Sequence, residues 1–197
     1  MNFLAHAYLS FNQPELLVGN MISDFVKGKK KFDYNQGILA GIMLHRQIDT
    51  FTDEHEATRE AKEFLRPAVR LYSGAFVDVA YDHFLANDIN EFTDTSLRLH
   101  ASETYHILNK YNTILPDPFK KMLPYMESQN WLYNYKSISG TESSFGGVVR
   151  RSSYLSSSKQ VFDLFQTHYS SLQNCYNAFF PSVKAFAFNQ INLSKNS

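Results

Sequence analysis

The sequence predicts a single all-α domain. Three observations carry that reading. Apolar residues recur at helical spacing along nearly the whole chain, no run alternates apolar and polar residues long enough for a strand, and prolines fall where helices begin. The first helix is expected over 2–10, with His6 beside Phe3. Pro14 opens the second, over 14–26, where Leu17, Met21 and Asp24 share a stripe. A third over 34–51 presents Ile38, Ile42, His45 and Asp49 on one face. The fourth, over 54–64, follows Asp53, which with Glu56 reads as a capping box. Pro67 marks a fifth over 66–88, whose stripe is Leu71, Ala75, Asp78, Asp82 and Leu85. Further helices are expected over 94–112, over 117–128 behind Pro116 and Pro118, and over 141–154, 158–178 and, from Pro181, 181–190. Val148-Val149 is too short for a strand, and the Ser-rich segment Ser152 to Lys159 reads as a surface turn. No repeat or linker divides residues 1–191, while 192–197 read as a disordered tail.

With 197 residues, 44% of them hydrophobic and 17 of them Phe, the chain can fill a sizeable core. Its formal net charge of zero argues against nucleic acid as a partner, since duplex readers carry a basic surplus. Cys175 stands alone, so no intramolecular disulfide forms and a reducing compartment suits it. The amino-terminal residues lack the basic head and long apolar run of a secretory signal, and no stretch approaches the roughly 20 apolar residues of a membrane span. The expectation is a soluble cytoplasmic protein with no membrane partner.

Chemistry concentrates in the first 83 residues. His45/Asp49 and Asp78/Asp82 are each spaced four apart, so each pair shares a helix face that is otherwise oily. A buried carboxylate without a partner costs several kcal/mol, so these groups must meet a cation or hydrogen-bond donors. With His6 and Asp24 they form a candidate pool of six metal ligands: His6, Asp24, His45, Asp49, Asp78 and Asp82. Mixed imidazole and carboxylate donors suit Mn²⁺, Fe²⁺, Zn²⁺ or Mg²⁺. The competing account is that they hydrogen-bond one another or cap neighbouring helices. His83 points about 100° away from Asp82 around its helix. Asp53 is explained by capping alone, and His100, His106 and His168 lack carboxylates at helical spacing. Glu103 and His106 match half of a di-iron Glu-x-x-His pair, but no second copy exists.

The sequence holds a series of blocks: Asn2-Phe3-Leu4-Ala5-His6, Gly19-Asn20 with Asp24-Phe25-Val26-Lys27-Gly28, the run Leu44 to His55, and Asp78 to Ala86. Asn130-Trp131-Leu132, Gly140 and Arg150-Arg151 continue the series. Together these blocks resemble the acyl carrier protein phosphodiesterase family. Ser23 stands where a Gly is usual, Ala7 replaces a larger apolar residue, and Glu56 replaces a common Pro, none of them a candidate ligand. That family is similar to the HD-type metal-dependent phosphohydrolases, which implies an HD-like all-helical fold. The resemblance implies Mn²⁺ as cofactor, with Mg²⁺ or Fe²⁺ as alternatives. It implies hydrolysis of the phosphodiester joining 4′-phosphopantetheine to a Ser of holo acyl carrier protein.

On that reading Arg46 orients a phosphate oxygen through its planar fork, and His55 or His83 protonates the leaving oxygen. Lys27, Lys29, Lys30 and Lys31, extended by Arg150 and Arg151, form a basic patch for an acidic carrier. Two other readings stay open: an HD-like phosphohydrolase of a nucleotide or other small phosphoester, and a non-catalytic helical binding protein.

Overall fold

Helices account for the architecture of the computed structural model, which describes residues 1–195, and no strand occurs among them. Eleven α-helices follow in order: α1 (Phe3–Tyr8), α2 (Pro14–Ile22), α3 (Gln36–Glu54), α4 (Glu56–Val69), α5 (Ser73–Asn87), α6 (Asp94–Lys110), α7 (Asp117–Ser128), α8 (Trp131–Asn134), α9 (Ile138–Arg151), α10 (Lys159–Thr167) and α11 (Tyr169–Lys195). The core is rich in fully buried aromatics, among them Phe76, Tyr81, Phe84, Phe145, Phe165 and Phe179. Burying side chains of that size supplies much of the drive to fold.

The tightest pairing joins α2 to α3, and two glycines make it possible. A Cβ on Gly19 would lie 2.0 Å from the Ile38 carbonyl oxygen, and one on Gly41 would lie 2.2 Å from that of Leu16. The two backbones therefore touch directly, which brings the main chain at Asn20 against the side chains of α3. α1 packs on both α2 and α5. Its own cap residue, Asn2, makes no side-chain capping bond. Asp82 of α5 takes that role instead, accepting from the main-chain N–H of Leu4 at 2.7 Å, Ala5 at 3.2 Å and Asn2 at 3.3 Å.

Several predicted boundaries are corrected. The second helix ends at Ile22 and continues only as a 3₁₀ turn, Ser23–Phe25. Pro67 and Pro181, expected at helix starts, lie inside α4 and α11. Both prolines are exposed, on the solvent-facing side of their helices. The break after α4 comes at Arg70, which adopts φ +49°. Likewise Leu172, Tyr176, Phe179, Val183, Ala187 and Ile191 form one buried stripe that runs straight past Pro181. The chain breaks earlier, at His168 between α10 and α11. α11 also runs through residues 192–195, where the sequence predicts a tail; residues 196 and 197 lie outside the described residues.

The expected capping box of Asp53 and Glu56 does not form. Asp53 belongs to α3 and pairs with Lys62 at 2.6 Å, while His55 caps α4 by accepting from the Ala57 N–H at 3.2 Å. A capping box does open α6, between Thr93 and Ser96.

Candidate metal centre

His6 of α1, His45 of α3 and Asp49 of α3 present donor atoms that all lie within 4.8 Å of one another. The two imidazoles stack face to face, with ring centroids 3.9 Å apart and planes 18° apart. Nε2 of His6 lies 3.2 Å from Oδ1 of Asp49, and Nε2 of His45 lies 3.1 Å from its Oδ2. Oδ1 of Asp24, on the 3₁₀ turn after α2, also approaches Nε2 of His45, at 3.1 Å. Both rings are buried, whereas Asp49 is 40% exposed, so the cluster opens to solvent on its carboxylate side.

One residue aims both rings. The Asn20 main-chain oxygen accepts from Nδ1 of His45 at 2.7 Å. The Asn20 side-chain oxygen accepts from Nδ1 of His6 at 2.8 Å. Its amide orientation is fixed from the other end, because Nδ2 donates to the His6 carbonyl at 2.8 Å and to Ser10 Oγ at 3.1 Å. With the Nδ1 protons committed to Asn20, both Nε2 atoms are directed into the cluster, the arrangement metal-ligating histidines use; neutral His6 offers a lone pair there, and His45 offers one once its Nε2 proton leaves.

The donor chemistry fits a cation. Nε2 of His6 faces the Met1 carbonyl oxygen at 3.1 Å as well as Asp49. Three acceptors that meet without a proton between them repel unless they share a positive charge. The α-amino group of Met1 stands among the neighbouring carboxylates, 3.0 Å from Asp78 and 3.6 Å from Asp49. It is a cation where the residues call for one. Burial opposes its charge, but Asp78 and Asp49 outweigh burial and raise it from 8.0 to about 10.

Protonation follows the same logic. Burial, reinforced by His45, lowers His6 from 6.5 to about 4 and keeps it neutral. Burial also acts to lower His45, but Asp24 and Asp49 overcome it and raise the ring to about 9. Asp49, despite burial, is held far below the usual carboxylate range by the hydrogen bond from the charged His45 ring and by the Met1 α-amino group. Burial pushes Asp78 up, and it pushes Asp82 up to about 7.

The structure thus brings together His6, His45, Asp49 and Asp24, with Asp78 linked to them through Met1. Asp82 turns its oxygens to the first turn of α1. His83 engages other partners: Nδ1 meets the Tyr135 carbonyl at 2.7 Å and Thr141 Oγ1 at 3.0 Å, and Nε2 meets the Tyr169 hydroxyl at 2.9 Å. His55 is the α4 cap and lies against Phe51 and Phe179. Arg46 donates to the Val26 carbonyl at 2.8 Å, steadying the chain just before the lysines. Lys27, Lys29 and Lys30 are exposed, and Lys31 is half-buried, its ammonium 3.3 Å from Met43 Sδ. Arg150 and Arg151 lie on the wall of a cavity beside Asn2. Sequence reasoning missed Asn20; its signal was a lone amide in the apolar run Leu16 to Ile22, and the structure buries it fully.

A family model described as acyl carrier protein phosphodiesterase matches residues 1–183. Among similar proteins, an acyl carrier protein phosphodiesterase of Klebsiella pneumoniae is 31% identical over 194 residues, covering 96% of this chain and 99% of the relative. One of Escherichia coli is 31% identical over 187 residues, covering 93% and 95% of the two chains. One of Photorhabdus laumondii is 28% identical, with 96% of each chain covered. No solved structure matches.

Proposed function

The chain belongs to the acyl carrier protein phosphodiesterase family, and from that premise we propose that it hydrolyses the phosphodiester between 4′-phosphopantetheine and the serine of holo acyl carrier protein. His6, His45 and Asp49 would hold a divalent ion, with Asp24 and Asp78 at its edge. Mn²⁺ is the ion that the family resemblance favours; imidazole and carboxylate donors without a thiolate fit it as they fit Mg²⁺, Fe²⁺ or Zn²⁺. The single observation that carries this assignment is the convergence of two Asn20-aimed imidazoles and one carboxylate on the same small volume. An ion held there would polarise a phosphoryl oxygen and lower the pKa of a water molecule.

The remaining work falls to the chain itself. Asn20 fixes both ring orientations, and Asp82 fixes α1, hence His6, by capping it from α5. The exposed lysines of the 27–31 segment attract an acidic carrier and orient it at the surface next to Asp24. His55 and His83 hold the structural bonds described above and have no part in the proposed chemistry. No helix among the described residues is long and apolar enough to cross a membrane. The reading puts the protein in the cytoplasm, where Cys175 stays reduced.

The test is incubation with holo carrier and Mn²⁺, followed by intact mass. The proposal expects the carrier to lose its prosthetic arm and the Asp49→Ala variant to leave it in place. A carrier that keeps its arm with Mn²⁺, Mg²⁺ and Fe²⁺ overturns it.

A further inference from the structure

A cavity of about 360 Å³ lies beside the metal centre, walled by α8, α9 and residues 2 and 3. That volume falls within the range of small-molecule sites, about 300 to 1,000 Å³. Asn2 and Phe3 line it and link it along the chain to the cluster. The Asn2 N–H bonds Asp82, and the preceding residue, Met1, touches His6, Asp49 and Asp78. A molecule whose phosphate reached the cluster could therefore lay its tail in this cavity.

Resting on the phosphodiesterase reading, we propose that the cavity binds the pantetheine arm of the substrate. The arm is a long neutral chain with a branched apolar head, two amides and a thiol. Trp131 and Met122 supply apolar wall for such a chain, while Asn134 and Ser143 supply side-chain partners for amides. Gly147 keeps the space open: a Cβ there would meet only the guanidinium tips of Arg150 and Arg151, each at 3.6 Å. Neither guanidinium has an ion-pair partner among the described residues. The cavity thus carries two uncommitted positive charges, which suit an arm that arrives with a phosphodiester and an acidic carrier attached.

Trp131 is the only tryptophan in the chain, so its emission reports occupancy of the cavity directly. Metal-free protein titrated with pantetheine is expected to show a saturable change in that emission. Gly147→Leu, which fills the space, should weaken binding at least tenfold, and Ser143→Phe provides a second block from the solvent side. Far-UV circular dichroism confirms that each variant is folded. No saturable change in the natural sequence, or equal binding by both folded variants, overturns the proposal. Cleavage of holo carrier is scored separately. Cleavage without pantetheine binding removes the cavity assignment and leaves the phosphodiesterase reading standing; binding without cleavage supports the cavity and removes that reading.

Discussion

The imidazoles of His6 and His45, from helices α1 and α3, lie face to face 3.9 Å apart, and both take their orientation from Asn20. Two aromatic nitrogens aimed at one carboxylate need a proton or a metal ion between them, and the assembly rests on contacts made well away from the carboxylate. The consequences can be measured at those contacts.

Asn20→Ala removes the acceptor for His6 and leaves the main-chain acceptor for His45. Loss of a residue that orients a metal ligand weakens metal binding by about 10- to 100-fold. Calorimetric titration with Mn²⁺ should show that loss in Asn20→Ala.

Gly19→Ala puts a methyl group 2.0 Å from the Ile38 carbonyl oxygen. Overpacking of this kind costs about 1 to 3 kcal/mol, and here the force is borne by backbone rather than by a side chain that can turn aside. The denaturation midpoint should fall accordingly, and Mn²⁺ affinity with it, because α2 would carry Asn20 away from His45.

Without metal, stability should be greatest near pH 6.5. His45 is raised to about 9 in the fold, so its contribution is complete below 6.5 and disappears as pH rises through 9. His6 and His100 are each lowered to about 4, so theirs is complete above 6.5 and disappears as pH falls towards 4. Melting curves in chelator across pH 4 to 9 check both limbs, and His45→Ala should flatten the alkaline one. The same proton on His45 must leave when an ion binds, so Mn²⁺ affinity should rise about tenfold per pH unit up to about 9.

Reversing the charges at Lys27, Lys29, Lys30 and Lys31 should raise the KM for holo carrier about tenfold and remove most of its salt dependence. Turnover of a small phosphodiester should barely change. Equal loss on both substrates would place the lysines in the chemistry rather than in recruitment.

Helical spacing made His45 and Asp49 legible, because both lie on one helix and the i, i+4 rule is local. The same rule could not separate Asp78 from Asp82. One reaches the cluster through Met1, and the other caps α1 across 78 residues of chain, a difference set by how α5 packs. Asn20 escaped because its importance lies in what α3 brings to it. Pro67 and Pro181 misled the boundaries, since a proline on a solvent-facing turn need not end a helix whose buried stripe continues. The all-α class, by contrast, followed from periodicity over the whole chain.

The central claim is that His6, His45 and Asp49 bind a divalent ion. Electron paramagnetic resonance of free Mn²⁺ in the presence of the protein tests it most directly. The natural sequence should deplete the free signal, His6→Ala, His45→Ala and Asp49→Ala should each bind at least a hundredfold more weakly, and folded Asp82→Asn should still bind. A natural sequence that leaves the free Mn²⁺ signal untouched, or an Asp49→Ala variant that depletes it equally, would contradict the account.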